Sequence, residues 1–395
     1  MPELANKDQC TGCTACVNIC SQKCIQMQEN EEGFSFPVID VSSCISCGVC
    51  EQVCPILNEK KLNEVSVKAY SAYSMNELIR KDSSSGGVFS ALALTVLKKG
   101  GIVYGAVYSE KGLVKHIGVE DVTSLAKLRG AKYSQSRLGS IFRDVKRQLD
   151  SNRDVLFSGT PCQVAGLKSF LGKDYINLFC VDFVCHGVPS PMVWSRYIDY
   201  RSKIDNKGAY PKYINLRNKE SGWSNFAYSV EIGYSDKKRY LCKNNDDPFM
   251  NLFTKDYILR KSCSECHFKG FERFSDLTLG DFWGIWDIDP SMDDNKGTSL
   301  VLTNSKKGEK LFEFASSDLK YKQVTLDQAV QMNQSLINSS IHKGDRNKVL
   351  SEIRENGFQS ISSLLNNVEN NNSFLHTKIR KLVKKVLLQY YNRDN

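Results

Sequence analysis

The apolar and polar positions change period several times along the chain, and each change marks an element. GFSFPVI at 33–39 predicts a short strand, and VKAYSAYS at 67–74 alternates as a strand does. The apolar run at 88–97 predicts a helix that ends at Gly100, where the chain turns into GIVYGAVY, a buried strand, with LVKHIGVE at 113–120 as its hairpin partner. IFRDVKRQL at 141–149 is an amphipathic helix. VLF at 155–157 is a short apolar strand, and GTPCQ turns from it into a helix starting near Gln163. The next strand lies within 175–190, with Cys180 in its interior, read as core, and Cys185 at its end. MVWSRYIDYRSK at 192–203 is helical. Residues 213–243 alternate aromatic and polar residues as hairpin strands do, and a further short strand lies between Asp276 and Gly280. From about Asp327 the pattern is helical and polar. Near the end, Ile379, Leu382, Val383, Val386 and Leu387 share one helical face, with Lys378, Lys381, Lys384 and Lys385 largely on the others.

With 395 residues the chain has room for two or three domains. The alternation of strands and helices predicts an α+β / α/β multidomain protein: a module at 1–58, a polar linker at 59–66, an α/β body in two parts at 67–150 and 151–345, and a helical basic tail at 346–395. The start lacks a basic segment followed by an apolar run, and no apolar stretch reaches the length of a membrane span. Fifteen cysteines, an odd number held mostly in metal-type spacings, point the same way, to a reducing cytoplasm. The net charge of +9 gathers toward the C-terminus, so no nucleic-acid partner is expected. The basic amphipathic tail instead suits peripheral contact with the inner face of a membrane or a partner protein, or a solvated helix.

The chemistry is concentrated in CTGCTACVNIC and CISCGVCEQVCP. Cys10, Cys13, Cys16 and Cys20 follow C-x2-C-x2-C-x3-C, and Cys44, Cys47, Cys50 and Cys54 repeat it before Pro55. This is the spacing of a bacterial two-cluster ferredoxin, in which three thiolates wrap one cluster and the fourth crosses to the other. It assigns Cys10, Cys13, Cys16 and Cys54 to one [4Fe–4S] cluster, and Cys44, Cys47, Cys50 and Cys20 to a second. Disulfides belong to oxidising compartments and zinc sites want ligands in two pairs, so both fit this spacing poorly. Ser21 replaces the proline that follows Cys54 in the second run; proline there presets a turn and is no ligand. Cys24 reads as a buried free thiol.

Further along, Ser83, Ser84, Ser85, Gly86 and Gly87 open the apolar helix. Serines cap helix starts, glycines admit a ligand to the backbone, and a helix start suits a phosphate; an ordinary capped helix has the same look. Lys132, Tyr133, Ser134, Gln135 and Ser136 form a polar segment in which Tyr could stack on a flat ring and Lys could pair a phosphate. A surface loop would read the same way. Cys263 and Cys266 are a C-x2-C pair, which alone fits half a zinc site, a redox dithiol or half a cluster site. With Cys162 and Cys185 at strand ends they complete four thiolates, the set for a third [4Fe–4S] cluster.

These stretches together resemble the family of beta subunits of coenzyme F420 hydrogenases and dehydrogenases, in its form with an N-terminal ferredoxin domain. The carriers are SSSGG at 83–87, AKYSQS at 131–136, GTPCQVAGLK at 159–168, CHGVPS at 185–190, CSEC at 263–266 and DLTLGDFWG at 276–284. The resemblance implies FAD in the central body, lined by Ser84, Ser85, Gly86, Gly87, Lys132, Tyr133, Ser134, Ser136, Gly159, Thr160, Pro161 and Gln163. Asp281 and Arg273 become candidates for tuning the flavin or binding substrate. The expected function is an iron–sulfur flavoprotein oxidoreductase. It would pass electrons between a hydride-type substrate such as coenzyme F420 and a ferredoxin or partner enzyme. The alternatives are an electron-transfer subunit serving a biosynthetic partner, with no substrate of its own, and a zinc protein with an accessory ferredoxin domain.

Overall fold

The computed structural model describes residues 1–58, 66–235, 237–342 and 345–361. The linker, apart from Ser66, and the basic stretch read as the end of the tail lie outside the described residues.

The N-terminal module is built around its cysteine runs. Strands β1 (Ile25–Glu29) and β2 (Ser35–Ile39) pair antiparallel, and each cysteine run carries a short helix, Ala15–Ile19 or Val49–Gln52. These elements are too short to bury a core of their own, so Cys24, Ile25 and Cys50 form a small apolar centre into which Cys16, Cys20 and Cys44 pack.

The body is a mixed sheet of eight strands. They are β3 (Lys68–Ser74), β4 (Ile102–Tyr108), β5 (Val114–Val119), β6 (Val155–Ser158) and β7 (Leu178–Phe183), followed by β11 (Leu277–Asp281), β12 (Ser299–Thr303) and β13 (Leu319–Val324). Their spatial order is β13-β3-β12-β11-β7-β6-β4-β5. The central β4, β6, β7 and β11 run parallel, and the flanking strands pair antiparallel. Strands covered on both faces read as continuous apolar runs, which is why VLF and GIVYGAVY lack strict alternation. Helices Val88–Leu97 and Lys306–Ala315 cover one face. Ile141–Asp150 and Pro161–Leu171 cover the other. The latter starts two residues before the sequence expectation, because Pro161 suits a first helical position and Thr160 and Gln163 close a capping box ahead of it.

A smaller layer sits beside the sheet. Strands β8 (Tyr213–Asn218), β9 (Ser229–Gly233) and β10 (Arg239–Lys243) form an antiparallel sheet packed on helices Pro191–Asn206 and Pro248–Thr254 through Trp194, Tyr197 and Phe249. The polar region expected from Asp327 contributes helices Leu326–Val330 and Arg346–Asn356.

Module and body meet along a close seam. Gly166 lies where a Cβ would come within 2.8 Å of the Cys13 Cβ and 2.9 Å of its Sγ, so only glycine lets the body helix approach this cysteine loop. Glu29, Glu31 and Glu32 of the module pair with Arg137, Arg354 and Arg346 of the body. Arg346 grips the Glu32 carboxylate with both terminal nitrogens, at 2.9 and 2.6 Å, while its Nε donates to Leu259 O at 2.7 Å. Replacing Arg346 with Met strands a partly buried carboxylate. The expected loss is about 1–3 kcal/mol, seen as a lower Tm of the anaerobic protein. An unchanged Tm would show that the fork does not hold the seam.

Candidate functional site

Cys10, Cys13, Cys16 and Cys54 line one cavity in the module. Cys54 has thus crossed from its own run to the other, as the two-cluster spacing requires. Cys20 has crossed the other way and packs with Cys44 and Cys50, while Cys47 is exposed beside them. Cys24 is buried, as expected, with its Sγ 3.4 Å from that of Cys20.

In the body, Cys162, Cys185, Cys263 and Cys266 line a single cavity. Helix Pro161–Leu171 presents Cys162 from its first turn. β7 ends at Phe183, so Cys185 sits in the loop beyond it rather than on a strand face. Burial pushes the Cys162 thiol up to about 12 and Cys263 up to about 11, so holding them as thiolates requires cations between them. Among the described residues, no three His, Cys, Asp or Glu side chains converge as a single metal ion requires. Two sets of four thiols, each bordering a cavity, match the donor chemistry of iron–sulfur clusters.

A larger cleft of about 310 Å3 opens at the carboxyl ends of β6, β7 and β11, the usual ligand position in such sheets. Of the twelve positions expected to line a flavin, all but Gly86 and Pro161 border it; Pro161 borders the cysteine cavity instead. The serines are used differently from the expectation. No side chain caps helix Val88–Leu97, whose N-cap is Gly87 at φ 86°. The hydroxyl of Ser84 accepts from Ala131 N at 2.6 Å, and that of Ser85 donates to Thr298 O at 2.9 Å. Of the first-turn amides, Ser90 N bonds back to Gly87 O at 3.1 Å, and those of Val88 and Phe89 have no side-chain cap. His116, also on the wall, is held neutral by burial, which lowers it to about 4. Its Nε2–H donates to Ser158 O at 2.9 Å, and its buried Nδ1 has no partner among the described residues. Thr11 borders the cleft and both cysteine cavities, and its Oγ1 is likewise buried without a partner among the described residues.

Comparison with known proteins places the chain in a family. Residues 69–143 match the N-terminal model, and residues 152–328 the C-terminal model, of the coenzyme F420 hydrogenase/dehydrogenase beta subunit. Residues 9–57 match a 4Fe-4S dicluster domain. The chain belongs to the family of coenzyme F420 hydrogenase/dehydrogenase beta subunits. Over 208 residues, 47% of its length, it is 22% identical to a subunit of the F(420)H(2) dehydrogenase of Methanosarcina mazei, and it spans 57% of that relative's length. An uncharacterised protein from the rpl9–rpl11 intergenic region of Porphyra purpurea is 38% identical over 50 residues, 12% of this chain and 67% of its own length. A chain from the xenon-derivatised F420-reducing [NiFe] hydrogenase complex of Methanosarcina barkeri is similar at TM-score 0.46 and 17% identity, covering 74% of this chain and 94% of that one. Among the described residues no helix is long and apolar enough to cross a membrane.

Within this family member's cleft, Asp281 and Arg273 are not brought together. Asp281 lies on the cleft wall and pairs with Arg217 at 2.8 Å. Trp223 Nε1 adds a hydrogen bond to it at 3.3 Å. Arg217 also donates to the Tyr133 hydroxyl at 3.3 Å and lies over the rings of Tyr228 and Trp283. Arg273 instead borders the cysteine cavity and faces the buried Asp182 at 3.4 Å. The Lys132 ammonium, expected near a phosphate, is turned onto the carbonyls of Lys127, Leu128, Arg129 and Gly130, and burial lowers it to about 7. Lys219, unremarked in the sequence, holds the serine loop from outside: its Nζ donates to Ser85 O at 2.7 Å and to Arg80 O at 2.6 Å.

Burial also lowers Lys219 to about 7. Between that value and the unfolded pKa of about 10.4 the unfolded chain holds more protons, so this lysine makes stability rise with pH across that window and adds no slope below it. Lys219→Met should therefore flatten the rise in denaturation midpoint between pH 7 and pH 9, by at most about 1.4 kcal/mol per pH unit. Identical slopes in variant and wild type would refute the assignment.

Proposed function

We propose that this chain is an iron–sulfur flavoprotein oxidoreductase subunit, with FAD in the cleft and three [4Fe–4S] clusters between it and a protein partner. The first cluster takes Cys10, Cys13, Cys16 and Cys54; the second takes Cys44, Cys47, Cys50 and Cys20; the third takes Cys162, Cys185, Cys263 and Cys266. The observation that carries this reading is contiguity, since Thr11 is a common wall of the cleft and two cysteine cavities. FAD, when bound, exchanges a hydride for single electrons.

The chain's own residues would bind and orient that cofactor. The uncapped start of helix Val88–Leu97 would take an anionic group, and its Gly87 lets the backbone approach. The ring of Tyr133, stacked on Phe253 at 4.6 Å, and the neutral His116 would border the flat part. The Arg217–Asp281 pair would set the local charge. On the outer side, the exposed Cys47 is where a ferredoxin or a partner enzyme would meet the second cluster. The family's name makes a coenzyme F420-like hydride carrier the first substrate to try.

The test is made on anaerobically purified protein. Bound FAD, about twelve irons per chain for three cubane clusters, and bleaching of the flavin by reduced coenzyme F420 are expected. Cluster iron without flavin would leave an electron-transfer subunit, and zinc at Cys263 and Cys266 would overturn the third cluster. Asp281→Asn removes a negative charge and leaves Arg217 in place. It should raise the flavin midpoint potential by about 30 mV, equal to about 1.4 kcal/mol in a two-electron couple. An unmoved potential would take Asp281 out of the cofactor's environment.

A further inference from the structure

Among the described residues five arginines are buried: Arg80, Arg217, Arg260, Arg273 and Arg346. Four of them face a carboxylate, respectively Asp294, Asp281, Asp182 and Glu32 for Arg80, Arg217, Arg273 and Arg346. Arg260 is the exception. It is 1% exposed, and among the described residues no carboxylate lies within ion-pair distance of it. Its Nε donates to Cys10 O at 2.8 Å, one terminal nitrogen to Gln135 Oε1 at 2.9 Å and the other to Ser35 O at 3.1 Å, all neutral acceptors. Its planar head also sits over the Phe36 ring at 4.2 Å.

A guanidinium stays charged in proteins, and a buried charge without an opposite charge is expensive. The groups around Arg260 that can become negative are thiols. Cys10 belongs to the set proposed for the first cluster, and Cys162 and Cys263 to the set for the third; all three lie in the field of the guanidinium. Arg260 borders the third cavity and binds the backbone of the first cysteine loop, so it stands between the two. None of its hydrogen bonds reaches the Cys20, Cys44, Cys47 and Cys50 group.

We infer that Arg260 is the shared counter-ion of the first and third clusters, a positioning residue that sets both their potentials. The inference rests on the three-cluster reading above. A positive charge held against a cluster favours its reduced, more negative form, so Arg260 raises both potentials together and leaves the second cluster alone. The sharing also makes the two centres answer to one residue, which a carboxylate-paired arginine would not do.

The test is a redox titration of the anaerobic holoprotein, followed by the electron paramagnetic resonance of each reduced cluster, with iron counted in every sample. Arg260→Gln should lower two of the three potentials and leave the other at its wild-type value. Arg260→Lys, which keeps the charge and loses the fork, should hold all three close to wild type. Because Arg260 also fastens the module, Gln135→Glu serves as the second variant. It keeps the guanidinium and places a carboxylate against it, so the same two potentials should fall with iron retained. Wild-type potentials in Gln135→Glu would overturn the inference, as would an equal fall of all three. A wild-type protein without three cubane signals would overturn the earlier reading along with this one, whereas unmoved potentials in variants of a three-cluster protein would overturn this one alone.

Discussion

Under the function proposed above, electrons would pass between module and cleft only across short, fixed gaps, so the two must be locked in one arrangement. The lock is made of guanidinium groups from the body reaching module carbonyls. Helix Ala15–Ile19 ends, as every helix does, with carbonyls that lack an internal partner. Arg143 donates to the carbonyls of Val17, Asn18 and Cys20, closing that end with a positive charge where the helix dipole favours one. Arg260 does the same for Cys10 and Ser35. The remaining seam follows from these anchors: the glutamates of the β1–β2 ribbon meet arginines, and Gly166 removes the side chain that would hold helix and cysteine loop apart.

Charge in the body is spent on scaffolding more than on ligand capture. Lys132 and Lys219 both aim buried ammonium groups at backbone carbonyls, one inside the segment 127–130 and one across from β8 onto the serine loop. Neither is directed at an anion in the cleft. What the cleft offers an anion is the uncapped helix start behind Gly87. Backbone amides are the better instrument there, since they cannot swing away and carry no counter-ion to displace.

The legible parts of this protein were the local ones. The cluster spacing could be read directly because three of each four ligands lie within seven residues of sequence, and the strands because apolar runs are continuous. The four body cysteines were reachable because each falls at a strand end or in a tight pair. The lysine and arginine partners were not legible, since no local pattern tells a carbonyl-bound lysine from one that meets a phosphate. Arg273 and Asp281 lie eight residues apart in sequence. Yet β11 separates them, with Arg273 before its start at the cysteine cavity and Asp281 at its far end on the cleft. The Arg217 and Arg260 side chains find their hydrogen-bond and ion-pair partners 64 to 250 residues away. A single sequence contains no signal for them.

The position of β3 has a consequence for how the protein is made. This strand lies between β12 and β13, which belong to the last part of the body sheet. A chain synthesised from its N-terminus therefore exposes the whole cysteine module, then a strand with both edges open, before the residues that cover that strand exist. Domains fold as they emerge, so the module's nine thiols are made and exposed while the body is still incomplete. The arginine seam can close only afterwards, once Arg260 and Arg346 have been made.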